Sequence, residues 1–175
     1  LIERDTRLVT KTADFLGLQG ILRPNHLQPP FNNVKARQAL LWMVKQEDYL
    51  RAMVGDPRHW KTCAAYFGCG TEFGDAAGDN TPRQQDLDKA RQLMREAGYH
   101  GELVVLMQPT DYPTLSAASM VTAQLLRKIG VNVQMQSMDW STLTSRRVEK
   151  KPPAEGGWSL FHTQGILPDI MSPVG

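Results

Sequence analysis

The sequence predicts an α/β fold, and three observations carry that prediction. A short apolar strand, a long amphipathic helix and a strictly alternating strand follow one another between residues 102 and 137, with brief joints between them. Such a succession is a βαβ unit, whose strands run parallel and whose crossover is right-handed. Elsewhere, stretches with helical spacing begin at Asn or Asp and stop at glycine, the punctuation of capped helices. A further apolar run at residues 158–163, WSLFHT, supplies another buried strand.

Residues 7–22 alternate loosely between polar and apolar, with glycines interrupting, and suit one or two extended segments with a bend. Asn32 or Asn33 is placed to cap a helix, on which Val34, Gln38, Leu41, Met43 and Val44 recur at near-helical spacing. A second helix carries Tyr49, Leu50, Met53 and Val54, and Gly55 ends it. From residue 56 to 83 the chain is rich in Gly, Pro, Asp and Asn without a sustained period, as in a functional or packed surface loop. Asp86 caps a helix that turns Leu87, Ala90, Leu93, Met94 and Ala97 inward and stops at Gly98. Residues 102–108 form the apolar strand. Pro113 sits in the first turn of a helix reaching about Ile129, where proline costs little, and Leu115, Ala118, Thr122, Leu125, Leu126 and Ile129 make its buried face. Gly130 ends it. Residues 131–137 alternate, with Val131, Val133 and Met135 on one side. Asp139 caps a last helix, residues 140–150.

With 41% hydrophobic and 22% charged residues the composition is that of an ordinary globular protein, with enough apolar material for a core. A formal net charge of +2, with basic residues clustered only at Arg146-Arg147 and Lys150-Lys151, gives no footprint for nucleic acid. No apolar run approaches the roughly 18 residues that span a bilayer. The chain starts at Leu1 and ends at Gly175 with both ends looking cut, so it reads as one partial domain excerpted from a longer protein. Cys63 and Cys69 enclose a five-residue loop, AAYFG; the pair either closes as a disulfide or stays as two thiols, and is too small for a zinc site of its own.

The residues contain no phosphate-binding glycine loop, no nucleophile elbow and no pair of histidines at metal-ligand spacing. No cofactor and no metal are expected. In open α/β sheets ligands bind beyond the carboxyl ends of the strands, which makes His162, Thr163, Gln164 and Tyr112 candidate ligand-binding residues. A strand histidine also suits a satisfied place in the core. Asp111, Tyr66 and Phe67 are further residues that could reach a ligand, whereas Trp42 and Trp140 read as packing residues. His26, His59 and His100 are scattered through loops.

Three segments add a resemblance. Residues 29–40, PPFNNVKARQAL, resemble the PPF-x-x-V-x-x-R-Q-A signature of the family 5 extracellular solute-binding proteins, the peptide, dipeptide and nickel-type binding components of bacterial ABC importers. Residues 86–99, DLDKARQLMREAGY, are similar to that family's KA-x-x-LL-x-EAGY helix, and residues 123–143, AQLLRKIGVNVQMQSMDWSTL, to its Q-x-x-L-x-x-(I/L)-G-(I/V)-x-V passage into a strand. The resemblance implies a periplasmic-binding-protein-like lobe with a mixed, mostly parallel sheet flanked by helices. Residues 1–175 would be a single partial domain, the carboxy-terminal lobe, with residues 1–30 the incoming, hinge-proximal crossover. It also implies a monomeric receptor and not an enzyme, exported to the periplasm or held by a lipid anchor. Such a receptor would capture a peptide or similar solute between two lobes and pass it to an ABC permease driven by its ATPase subunits. In peptide-binding members a pattern like GW-x-(A/G)D-x-x-(D/N)P carries an aspartate for the ligand amine, and Asp169 resembles it. Gln164-Gly165 stands where Gly-Trp is expected, so a dipeptide specificity does not follow; Asp169 is equally suited to an ordinary loop or cap position. The competing reading is a small α/β hydrolase-like domain using Asp169 and His162 as an acid–base pair.

Overall fold

The computed structural model describes residues 7–9, 17–65, 67–72, 74, 84–166 and 169. In chain order the elements are β1 (Leu18–Pro24), α1 (Val34–Met43), α2 (Gln46–Met53), α3 (Leu87–Glu96), β2 (Val104–Pro109), α4 (Pro113–Lys128), β3 (Val133–Met138), α5 (Trp140–Arg146) and β4 (Leu160–Ile166). Single 3-10 turns occur at Pro57–His59 and Pro153–Glu155. The four strands form one sheet in the order β1-β4-β2-β3. β2 runs parallel to β3 from Val104↔Val133 to Pro109↔Met138, and parallel to β4 at Leu106↔Leu160 and Met107↔Phe161. β1 closes the sheet antiparallel to β4, Leu18 opposite Ile166 and Pro24 opposite Leu160. The sheet is therefore mixed and mostly parallel, flanked by helices, as the sequence predicts.

β2 is central and every one of its six residues is buried, which is why it is a continuous apolar run and not an alternating one. Its side chains divide between two cores. Val104 and Leu106 join α1, α3, α4 and Leu160 in the larger one. Val105 and Met107 join Leu143 of α5, Trp158 and Phe161 in the smaller one on the opposite face. The strand begins two residues later than the apolar run suggests and ends on Pro109. β3 is likewise shifted: Val131 is not in it but is buried at the joint, its N–H on Leu126 O at 2.9 Å. β3 lies at the sheet edge, so its inward residues Val133 and Met135 are half-buried only.

The 29–40 signature is explained by packing. Phe31 is fully buried. Asn33 caps α1, accepting from Lys35 N at 2.9 Å, and its amide donates to Ala97 O at 3.1 Å beyond the end of α3. Arg37 donates to Phe31 O at 2.7 Å and Asn32 O at 3.1 Å, holding the turn that delivers Phe31. Lys35 meets Glu96 at 2.8 Å across the same helix pair.

Three sequence expectations are corrected. The buried stripe of α1 is Ala36, Ala39, Leu40 and Met43, whereas Val34 is 54% and Leu41 45% exposed and Gln38 faces solvent. α1 is apolar on both flanks, and the flank with alanines packs because small side chains let α3 approach. α5 ends at Arg146, not at residue 150, because the Glu149 carboxylate takes the N–H groups of Lys150 and Lys151 and turns the chain. β4 continues to Ile166, three residues beyond the expected strand, so Gln164 lies within it. The predicted stops hold: Gly55, Gly98 and Gly130 all have φ near +80°, the left-handed conformation that a helix C′ residue adopts. Of the expected extended segment 7–22, residues 10–16 lie outside the described residues, as do 66, 73 and 75–83 of the long loop. In the described part of that loop Cys63 and Cys69 are joined as a disulfide, Cα atoms 5.7 Å apart. The side chain of Gln46 fastens it to α2, donating to Cys63 O at 2.6 Å and accepting from Cys63 N at 2.8 Å.

Candidate functional site

Adjacent parallel strands that send their following helices to opposite faces leave a crevice between them, outside their carboxyl ends. β2 and β3 do this: β2 leads to α4 over the larger core, and β3 leads to α5 over the smaller. The two exits are stitched together. Thr110 N donates to Met138 O at 2.9 Å, and the Asp111 carboxylate accepts from Trp140 N at 2.8 Å. Asp139 caps α5 through Thr142 N at 2.9 Å, and the Thr142 hydroxyl and backbone hold its carboxyl below the usual carboxylate range.

On this edge Tyr112 is the N-cap residue of α4, with Pro113 behind it and 38% of its surface exposed. Its ring lies 5.9 Å from that of half-buried Trp140, tilted by 49°. Its hydroxyl accepts from Gln164 Nε2 of β4 at 2.8 Å. Gln108, buried at the end of β2, donates to the Ser116 hydroxyl and accepts from Ser137, each at 2.9 Å, tying α4 and β3 to the strand that lies under Tyr112.

Of the candidates named from the sequence, Tyr112 and Gln164 are thus brought into contact. Thr163 is half-buried and pairs with Ile21 of β1. Asp169 is exposed. Tyr66 lies outside the described residues. His162 is 5% exposed and faces the larger core, not the edge. Its Nε2 is 2.7 Å from Thr122 Oγ1, which is in turn 2.8 Å from the Tyr49 hydroxyl, and the His162 and Tyr49 rings are 5.8 Å apart. Burial pushes the His162 imidazole down to about 4 and the Tyr49 phenol up to about 12. A ring sealed in the core on a threonine hydroxyl is not presented as the acid–base partner of an exposed Asp169, so the geometry removes the footing of the hydrolase-like alternative. Sequence reasoning missed Trp140 as part of the edge, having assigned it to packing. It also missed the Tyr49–Thr122–His162 chain, whose signal was available: a threonine in the middle of the predicted buried stripe of α4.

Among the described residues no three His, Cys, Asp or Glu side chains gather as a metal ion would need, and no helix is long and apolar enough to cross a membrane.

A family model described as "Bacterial extracellular solute-binding proteins, family 5 Middle" matches residues 11–165. The chain is 44% identical over 165 residues to a "Probable peptide ABC transporter periplasmic-binding protein" of Sinorhizobium fredii, covering 93% of this chain and 31% of that protein. It is 28% identical over 171 residues to a glutathione-binding protein of Pectobacterium atrosepticum, covering 93% of this chain and 30% of the relative. The chain thus spans about a third of the length of these curated relatives. In fold it is similar to the periplasmic binding protein DppA of Helicobacter pylori, solved in complex with a peptide, with a TM-score of 0.67 and 22% identity over 89% of this chain and 28% of that one. A family match over most of the sequence, joined to this sheet order and helix arrangement, places the chain: it belongs to the bacterial extracellular solute-binding proteins, family 5.

Proposed function

We propose that this chain is the carboxy-terminal lobe of the substrate-binding component of an ABC-type importer, and that it forms one wall of an interlobe cleft that captures a peptide or similar small solute. Residues 1–30 are the hinge-proximal crossover, and the remainder of a longer, monomeric, exported protein supplies the facing wall. The protein works in the periplasm or on a lipid anchor. Solute stabilises the closed arrangement through contacts that exist only when both walls meet, and the closed receptor then docks on a membrane permease coupled to its ATPase subunits. The chemistry is binding alone.

The observation that carries this reading is the Tyr112–Gln164 pair on the carboxyl edge of the sheet, backed by Trp140. Tyr112 accepts from Gln164 and so keeps its own proton to give; Gln164 keeps its carbonyl oxygen to accept. A donor beside an acceptor matches a peptide group, which carries both. The aromatic pair offers flat apolar area beside it. Asp169, exposed beyond the end of β4, adds a carboxylate for a cationic solute group; Thr163 flanks the edge on the β1 side, and His162 supports it from beneath. The names carried by the two curated relatives, one for peptide transport and one for glutathione binding, support a peptide-like solute.

The test is native mass spectrometry of the full-length protein as purified, followed by calorimetry with whatever solute it retains. Tyr112→Ala is expected to weaken binding about tenfold or more, since it removes both a hydrogen bond and ring contact, and the isolated 175-residue chain is expected to bind far more weakly than the whole protein. Equal affinity for the isolated chain, or no effect of Tyr112→Ala, defeats the proposal.

A further inference from the structure

We infer that Thr122 is a positioning residue for the solute-facing edge: the buried chain Tyr49–Thr122–His162 pins the carboxyl half of β4 to α4 and α2 and so holds Gln164 against Tyr112. The inference rests on the proposed solute-binding reading of that edge. The sheet register is its first support. β4 pairs with β2 only at Leu160 and Phe161. His162 is the next residue, and from there to Ile166 the strand is laddered, among the described residues, only to β1. On its inner flank the free half of β4 is tied to α4 by two side-chain bonds, His162 to Thr122 at 2.7 Å and Gln164 to Tyr112 at 2.8 Å. The first is sealed in the core, the second stands at the surface. Strand alternation puts His162 and Gln164 on the same side of β4, so the buried bond sets where the exposed one forms.

Proton inventory gives the chain a direction. Thr122 is fully buried and Tyr49 is 9% exposed, so neither hydroxyl can leave its proton unused cheaply. Both protons are used if Tyr49 donates to Thr122 and Thr122 donates to His162 Nε2; the imidazole is then neutral with its proton on Nδ1. With Nε2 donating instead, Thr122 Oγ1 becomes an acceptor for His162, and one of the two hydroxyl protons, that of Tyr49 or that of Thr122 itself, is left without a place in the chain. One hydroxyl therefore receives from α2 and gives to β4, and only a hydroxyl at position 122 can do both. Valine at that position fills the same space and does neither.

The experiment compares Thr122→Val with Thr122→Ser in the full-length protein, using trialanine as the probe peptide. Thr122→Val is expected to weaken trialanine binding about tenfold and Thr122→Ser to restore it, a rescue that loss of packing alone does not produce. Wild-type affinity in a folded Thr122→Val protein overturns the inference. If Thr122→Val does not fold, His162→Gln against His162→Leu makes the same contrast, since glutamine still offers Thr122 a polar atom and leucine does not. Equal affinities of that pair overturn it too. Should the wild-type protein not bind trialanine, trialanine is excluded as its solute, and the positioning is judged without a ligand. Hydrogen exchange then judges the positioning: Thr122→Val must speed exchange at residues 163–166 while leaving residues 104–109 protected, and unchanged exchange at 163–166 sinks it.

Discussion

His162 shows how much a single residue depends on its surroundings. From the strand position alone it is as good a ligand-binding candidate as Gln164; the two differ by one strand repeat and share a face. What separates them is α4, which covers the strand at 162 and has reached its N-terminus by 164. The burial has a measurable consequence. An unfolded histidine titrates at its ordinary value of 6.5, whereas the folded ring is held near 4. Between those values the unfolded chain binds a proton that the native protein refuses, so stability falls as pH falls through that window and is flat above it. Urea unfolding at pH 7 and pH 5 is expected to differ by about 2 kcal/mol from this residue. The His162→Gln protein is expected to lack that part of the slope; an identical slope in the two proteins refutes the assignment.

At the level of elements, α1 is the instructive case. Its sequence carries Val34, Gln38, Leu41, Met43 and Val44 at near-helical spacing, yet the stripe that is buried is Ala36–Ala39–Leu40–Met43, while Val34 and Leu41 stay in water. Periodicity detects that a helix is amphipathic but weighs side-chain size, whereas a helix–helix interface selects for close approach. Ala39→Leu is expected to cost about 1–3 kcal/mol through overpacking against α3, while Val34→Ala changes stability by less than about 0.5 kcal/mol. Thermal melting of the two proteins checks both. The helix starts, by contrast, are legible almost to the residue: Asp86 and Asp139 cap as expected, and of Asn32 and Asn33 it is Asn33 that caps, because an Asx side chain in front of an apolar period has one efficient use, the orphan N–H groups of the first turn. Strand limits were less so, since Val131 is apolar because it is buried and not because it is in the ladder.

Across the whole molecule, a central apolar strand with helices on opposite faces places the crevice at the β2/β3 exits, where Tyr112 and Trp140 stand, and Gln164 of β4 reaches Tyr112 from the other side of β2. The disulfide belongs to another segment, the loop fastened to α2 by Gln46. Its contribution is to restrict the unfolded chain: for so short a closed loop, replacing Cys63 and Cys69 by serine is expected to lower stability by about 2 kcal/mol. The same proteins are expected to bind solute with unchanged affinity, which denaturation and calorimetry together decide. A loss of binding without loss of stability would move the loop into the site.

The amino-acid sequence by itself determined the fold class, the parallel βαβ unit, the caps and stops, and the family, because these rest on local spacing and on turn chemistry that act within a few residues. The tertiary structure alone decided which flank of α1 is buried, that Trp140 stands against Tyr112, and that His162 belongs to the core while Gln164 belongs to the edge. Those distinctions depend on which element lies over a side chain, and no pattern along the chain records what is packed across it.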